Sequence, residues 1–137
     1  MGLIMGYFVL NTDKRYVPGA EEAMIKNKKA SAYGSRAHQI DRLRENDRIF
    51  LYSNERGIIV RGTAKGKFKE KEFTDKFHDV YDEHYMELKN FENISYNPIT
   101  HEELKNITGI TPSQTLIQLP DEKVAEEIWG AFSGRTK

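Results

Sequence analysis

The residues able to do chemistry on their own are few. The chain carries four histidines and no cysteine. That excludes disulfides, zinc–thiolate sites and thiol nucleophiles. His38 and His101 stand alone in sequence. His78 and His84 bracket Asp79, Asp82 and Glu83 in a charged stretch, and no histidine pair has the one-turn helical spacing of a zinc site. A nuclease needs clustered carboxylates with a lysine. Asp79 followed by Glu87-Leu88-Lys89 imitates that arrangement, but the same triplet recurs at Glu103 to Lys105, where a surface helix is expected. No paired acids, serine elbow or phosphate-cradling glycine loop is present. The residues therefore predict no catalytic group, no metal and no cofactor. Trp129, with Ile128 and Phe132 at helical spacing, reads as core.

These side chains must be positioned by elements that the sequence marks locally. Gly6 to Asn11 is an apolar, β-rich run ending in the turn Asn11-Thr12-Asp13-Lys14. Ala20 to Lys28 places acids first and bases last, which suits the helix dipole. Lys29 to Ser35 reads as a loop of small residues. Ser35 can cap a second helix through Leu43, with Ala37, Ile40 and Leu43 on one face. Arg48–Ser53 and Ile58–Lys65 read as strands joined by the hairpin residues Asn54 to Gly57. Lys67 to Asp82 has no clear period, and His84 to Phe91 alternates as a strand. Thr100-His101-Glu102-Glu103 is a capping box flanked by Ile99 and Leu104, opening a helix to Ile107, with Gly109 as its stop. Thr115 to Leu119 is a strand, and Asp121 caps a last helix through Phe132.

The 137 residues suit one domain around one core. Lys+Arg and Asp+Glu number 21 each, so no global basic field draws phosphates. Gly2-Leu3-Ile4-Met5 is too short for a secretory signal, and no apolar run approaches membrane-spanning length. The expected location is the cytoplasm, with no membrane partner. The element order fits an α+β fold: a curved, mixed, mostly antiparallel barrel of five or six strands with flanking helices.

Several stretches resemble the PUA-like fold, in particular its EVE and YTH branch. They are Tyr7-Phe8-Val9-Leu10, the Ala32-Tyr33-Gly34-Ser35 loop, Leu43 through Ser53, Gly57 through Ala64, and the tail from Pro98 to Phe132. The pattern departs at Asn46 and Arg61, where the family commonly has glycine, and it lacks the pocket tryptophan, for which Tyr33 is the nearest substitute. The resemblance implies a module that binds DNA or RNA carrying a modified, methylated base. The base would be flipped into a pocket of Asn11, Thr12, Tyr33, Gly34, Tyr52, Ser53 and Asn54. Tyr33 and Tyr52 would stack on it while the polar groups read its edge. Lys14, Arg15, Arg36, Arg42 and Arg56 flank these segments and could contact phosphates. The alternatives are a small hydrolase or nuclease acting on nucleotides or RNA, and a protein-interaction domain.

Overall fold

A computed structural model describes residues 5–136. Of the short apolar start weighed above, Gly2 to Ile4 lie outside the described residues. The chain runs β1 (Tyr7–Asn11), α1 (Ala20–Asn27), β2 (Lys29–Tyr33), a 3₁₀ helix (Gly34–Arg42), β3 (Arg48–Ser53), β4 (Gly57–Ala64), β5 (Lys69–Thr74), β6 (Val80–Asn93), α2 (His101–Thr108), β7 (Leu116–Gln118) and α3 (Glu122–Ser133). The α+β class holds. Among the described residues there are seven strands rather than five or six, in one curled sheet ordered β2-β6-β4-β3-β1-β7, with β5 joined to β6. β1 and β3 are parallel, and the other five pairings are antiparallel.

The curl comes from β6. Its first half pairs with β5 and β2, while its second half pairs with β4. One 14-residue strand thus turns between two parts of the sheet. Alternation along the strands then separates two cores. Phe8, Leu10, Ile49 and Leu51 face α1, β2 and the 3₁₀ helix. Tyr7, Val9, Phe50 and Tyr52 face α2 and α3.

Three of the stretches come out differently from the sequence reading or gain a structure it did not give. Lys29 to Tyr33, expected as loop, is a strand buried at all five positions. Its small residues fit between layers, and its lysine is buried because Glu83 on the neighbouring strand pairs with it at 2.6 Å. Glu83 also accepts a 2.6 Å hydrogen bond from Ser31. A partner 54 positions away cannot be seen in a local window. The unreadable Lys67–Asp82 stretch is mostly the β5–β6 hairpin. The second helix is 3₁₀, and Ser35 lies inside it rather than capping it.

The capping box forms as expected: Glu103 N–H donates to Thr100 Oγ1 at 3.2 Å, and Thr100 N–H donates to Glu103 Oε1 at 3.3 Å. Asp121 caps α3 by accepting from the Lys123 N–H. The two departures from the glycine pattern also find their reasons. Asn46 has φ +73°, a left-handed position that asparagine tolerates better than most residues. Asp47 beside it accepts the Gly6 and Arg44 backbone N–H groups, each at 2.8 Å, and so ties the turn to the start of β1. Arg61 carries its guanidinium 4.6 Å from the Trp129 ring and 4.7 Å from the Phe132 ring, and it bonds the Trp129 carbonyl and the Ser133 hydroxyl. A glycine there would leave α3 without this anchor. Gly57, by contrast, has no substitute: its φ is +121°, and a Cβ would lie 1.9 Å from the Ile99 carbonyl oxygen.

Candidate functional site

Because β1 and β3 run parallel, their carboxyl ends leave the sheet side by side. Asn11 pairs with Tyr52 in the register, and the Thr12 N–H donates to the Tyr52 carbonyl at 3.0 Å. The chain after β1 and the hairpin after β3 therefore diverge at one edge. The segment leading into β7 closes the third side, with the Asn11 N–H donating to the Thr115 carbonyl at 2.9 Å. The 3₁₀ helix supplies the fourth.

Between these four segments lies a cavity of about 440 Å³, within the range of small-molecule sites. Its walls are Asn11 at the end of β1, Asp13 and Tyr16 after it, Arg36 and Gln39 on the 3₁₀ helix, Asn54 after β3, and Pro112 to Thr115 before β7. Tyr16 is 67% exposed, a large aromatic held in solvent at the rim. The Arg36 guanidinium lies 5.6 Å from its ring centre and 3.9 Å from Asp13 Oδ2. Asp13 sits in the left-handed region at φ +54°, in a turn closed by its own N–H donating to Asn11 Oδ1 at 2.9 Å. Burial pushes its carboxyl above the usual range, against the opposing pull of Arg36 and of a 3.3 Å hydrogen bond from Thr115 Oγ1. Asn54 Oδ1 is buried without a hydrogen-bond partner.

Of the pocket residues expected from sequence, the cavity gathers Asn11 and Asn54. The other five stand elsewhere, which corrects the expected pocket. Thr12 is fully buried, its hydroxyl donating to Glu21 Oε1 at 2.7 Å. Tyr33 belongs to the first core, its ring 5.3 Å from Phe73 and 6.4 Å from Tyr81, and burial pushes its phenol pKa up. Tyr52 belongs to the second core on the opposite sheet face. The two tyrosines cannot share a ligand. Ser53 is fully buried, and Gly34 opens the 3₁₀ helix at φ +61° outside the cavity lining.

The basic residues also sort by partner. Arg36 lines the cavity. Arg15 pairs with Glu55, and Lys14, next to it in sequence, is half-buried. Arg56 is engaged by the Ser95 carbonyl, and Arg42 donates to the Leu116 carbonyl at 3.1 Å, so both serve the frame. The residues that sequence reading missed are Asp13, Tyr16, Gln39 and the Pro112–Thr115 segment. The signal for Tyr16 was available: a tyrosine between Arg15 and Val17 in a turn, outside any strand or helix pattern, has no core to enter.

Among the described residues, no group of three or more His, Asp or Glu side chains stands close enough to hold a metal ion, and no helix is long and apolar enough to cross a membrane.

No protein-family model and no curated protein matches the sequence. Among solved structures, protein PSPTO5229 from Pseudomonas syringae is similar over 92% of this chain and 98% of its own, with a TM-score of 0.53 and 13% identity. Protein Rpa0253 from Rhodopseudomonas palustris aligns over 96% of this chain and 82% of its own, with a TM-score of 0.42 and 12% identity. The first likeness shows a shared fold alone.

Proposed function

We propose that this domain is a PUA-like binding module, not an enzyme, and that it takes one modified base of a DNA or RNA strand into the cavity at the ends of β1 and β3. The observation that carries the reading is the pairing of an exposed aromatic, Tyr16, with Arg36 and a set of amide and hydroxyl groups around one 440 Å³ space. A flipped base needs a face to stack on and edge-directed hydrogen bonds within one base width. Tyr16 supplies the face, and Asn11, Gln39, Asn54 and Thr115 supply the edge. Lys14 and Arg36 would contact the flanking phosphates. The lining contains a single carboxylate and no histidine, which favours recognition over acid–base or two-metal hydrolysis.

The test is calorimetric titration with single-stranded oligonucleotides matched except for one methylated base. The reading expects tighter binding of a methylated strand, and a tenfold to hundredfold loss for Tyr16→Ala, about 1–3 kcal/mol per stacked base. Equal binding of every strand, or a Tyr16→Ala variant that binds as the wild type does, would overturn it.

A further inference from the structure

The cavity's polar groups are unequal in what they have left to offer. A carboxylate has two oxygens and about four acceptor sites. Asp13 is about nine-tenths buried, so water reaches little of it. Within the protein it receives one long hydrogen bond, from Thr115 Oγ1 at 3.3 Å, and an Arg36 nitrogen at 3.9 Å, beyond hydrogen-bond range. Asn54 Oδ1, in the same lining, is buried with no donor at all. Buried acceptors left without donors are costly and uncommon. One such acceptor, Asn54 Oδ1, stands in the same lining as a nearly buried carboxylate, Asp13, with acceptor capacity to spare, and together they make a site richer in acceptors than in donors.

We infer that the cavity selects a base presenting adjacent N–H donors on its pairing edge, the pattern of guanine, with Asp13 as the residue that reads it. The inference rests on the base-pocket reading and deepens it. Guanine offers a ring N1–H beside an exocyclic N2 amine, and this two-donor edge matches the two oxygens of one carboxylate. Uracil and thymine offer one ring N–H between two carbonyl oxygens, which would face the carboxylate lone pair to lone pair. Adenine and cytosine offer one amine beside a ring acceptor, with the same conflict at half the edge. Arg36 fits the assignment. It neutralises the carboxylate when the site is empty, and it stays over the Tyr16 ring beside the path of the strand. Burial raises the Asp13 carboxyl in the empty site, a tendency that two ligand donors would oppose.

The experiment uses fluorescently labelled single-stranded RNAs of one sequence with a central guanosine, inosine, adenosine, cytidine or uridine, titrated with the full chain by anisotropy. Inosine keeps the ring N–H and removes only the exocyclic amine. The guanosine strand should bind tightest and the inosine strand about ten to a hundred times more weakly, as expected for one hydrogen bond to a charged group. Asp13→Asn should erase the guanosine-over-inosine preference. Asparagine tolerates the left-handed backbone at this position, so the thermal midpoint of the variant should match the wild type and separate recognition from folding. Equal binding of guanosine and inosine strands, or a preference that survives Asp13→Asn, overturns the donor-edge assignment. If the strands bind in a Tyr16-dependent way but without regard to the central base, only this assignment falls. If Tyr16→Ala has no effect on any strand, or an arginine-rich peptide binds where no RNA does, the base-pocket reading falls with it.

Discussion

Arg36 and Tyr16 meet at the cavity rim, guanidinium over ring at 5.6 Å, although they come from different segments, one after β1 and one in the 3₁₀ helix. The contact holds an aromatic that is 67% exposed beside the cavity at the ends of the two parallel strands. A cation over an exposed ring contributes about 0.5–1 kcal/mol, enough to orient Tyr16 without fixing it in a core.

Binding should therefore divide by residue. Tyr16→Ala and Arg36→Ala should each weaken binding of a modified oligonucleotide, whereas Tyr33→Phe and Tyr52→Phe should leave it unchanged, because those rings face two separate cores. Lys14→Ala should weaken modified and unmodified strands alike, since a phosphate contact carries no base information. Titrations of the five variants against one matched pair of strands check this. A loss of affinity in both Tyr→Phe variants would point back to the buried pair.

Arg61→Ala should loosen α3. The residue is 7% exposed and its side chain joins β4 to the Trp129 carbonyl at 2.9 Å, to Ser133 at 2.7 Å and to Glu92 at 2.9 Å. Losing charged hydrogen bonds and the ring contacts should cost about 2–3 kcal/mol in urea unfolding. Arg61→Lys should not restore it, because an ammonium cannot fork between these acceptors. A cost below about 0.5 kcal/mol would show the anchor to be incidental.

Gly57→Ala should be among the most destabilising single-methyl changes in the chain. It adds a Cβ 1.9 Å from the Ile99 oxygen and forces φ +121° on a residue with a side chain. The bridge between Ile58 and Ile99 would have to part. Unfavourable backbone alone costs about 1–3 kcal/mol. A thermal midpoint within a degree or two of the wild type would contradict the close approach.

His84 predicts a pH dependence. Its ring nitrogens lie 2.7 Å from Asp41 Oδ1 and 2.9 Å from Glu70 Oε1, and its ring stacks on Phe68. The hydrogen bond with Asp41, followed by the charges of both acids, holds its pKa above the ordinary value despite some desolvation. A folded pKa above the unfolded one means that the stabilisation is complete below about pH 6.5. It is then lost as pH rises through the folded value. Urea midpoints should accordingly fall with rising pH above neutrality in the wild type and flatten in His84→Gln. Identical pH profiles for the two proteins would remove His84 from the account.

Much of the frame was legible because its signals are local. The Thr100–Glu103 box, the Asp121 cap and the acid-to-base gradient of α1 each involve residues within one or two helical turns. The apolar runs of β1 and β3 announced buried strands for the same reason. The site was only partly legible. Asn11 ends and Asn54 follows a strand that the apolar runs mark, and both reached the cavity. Tyr33 looked like a loop aromatic because nothing nearby shows that Phe73 and Tyr81, roughly forty to fifty residues later, would bury it.

The sequence by itself determined the α+β class, the caps that open α2 and α3, the absence of cysteine chemistry and the turn after β1 that lines the cavity. Only the tertiary structure decided that β1 and β3 lie parallel, that Lys29 is buried against Glu83, and that Tyr16 rather than Tyr33 or Tyr52 faces the cavity. The physical reason is the range of the interactions. Capping and periodic burial are settled between neighbours, so composition and spacing reveal them. Strand order, and the side of the sheet on which a ring is buried, depend on contacts between segments far apart in the chain.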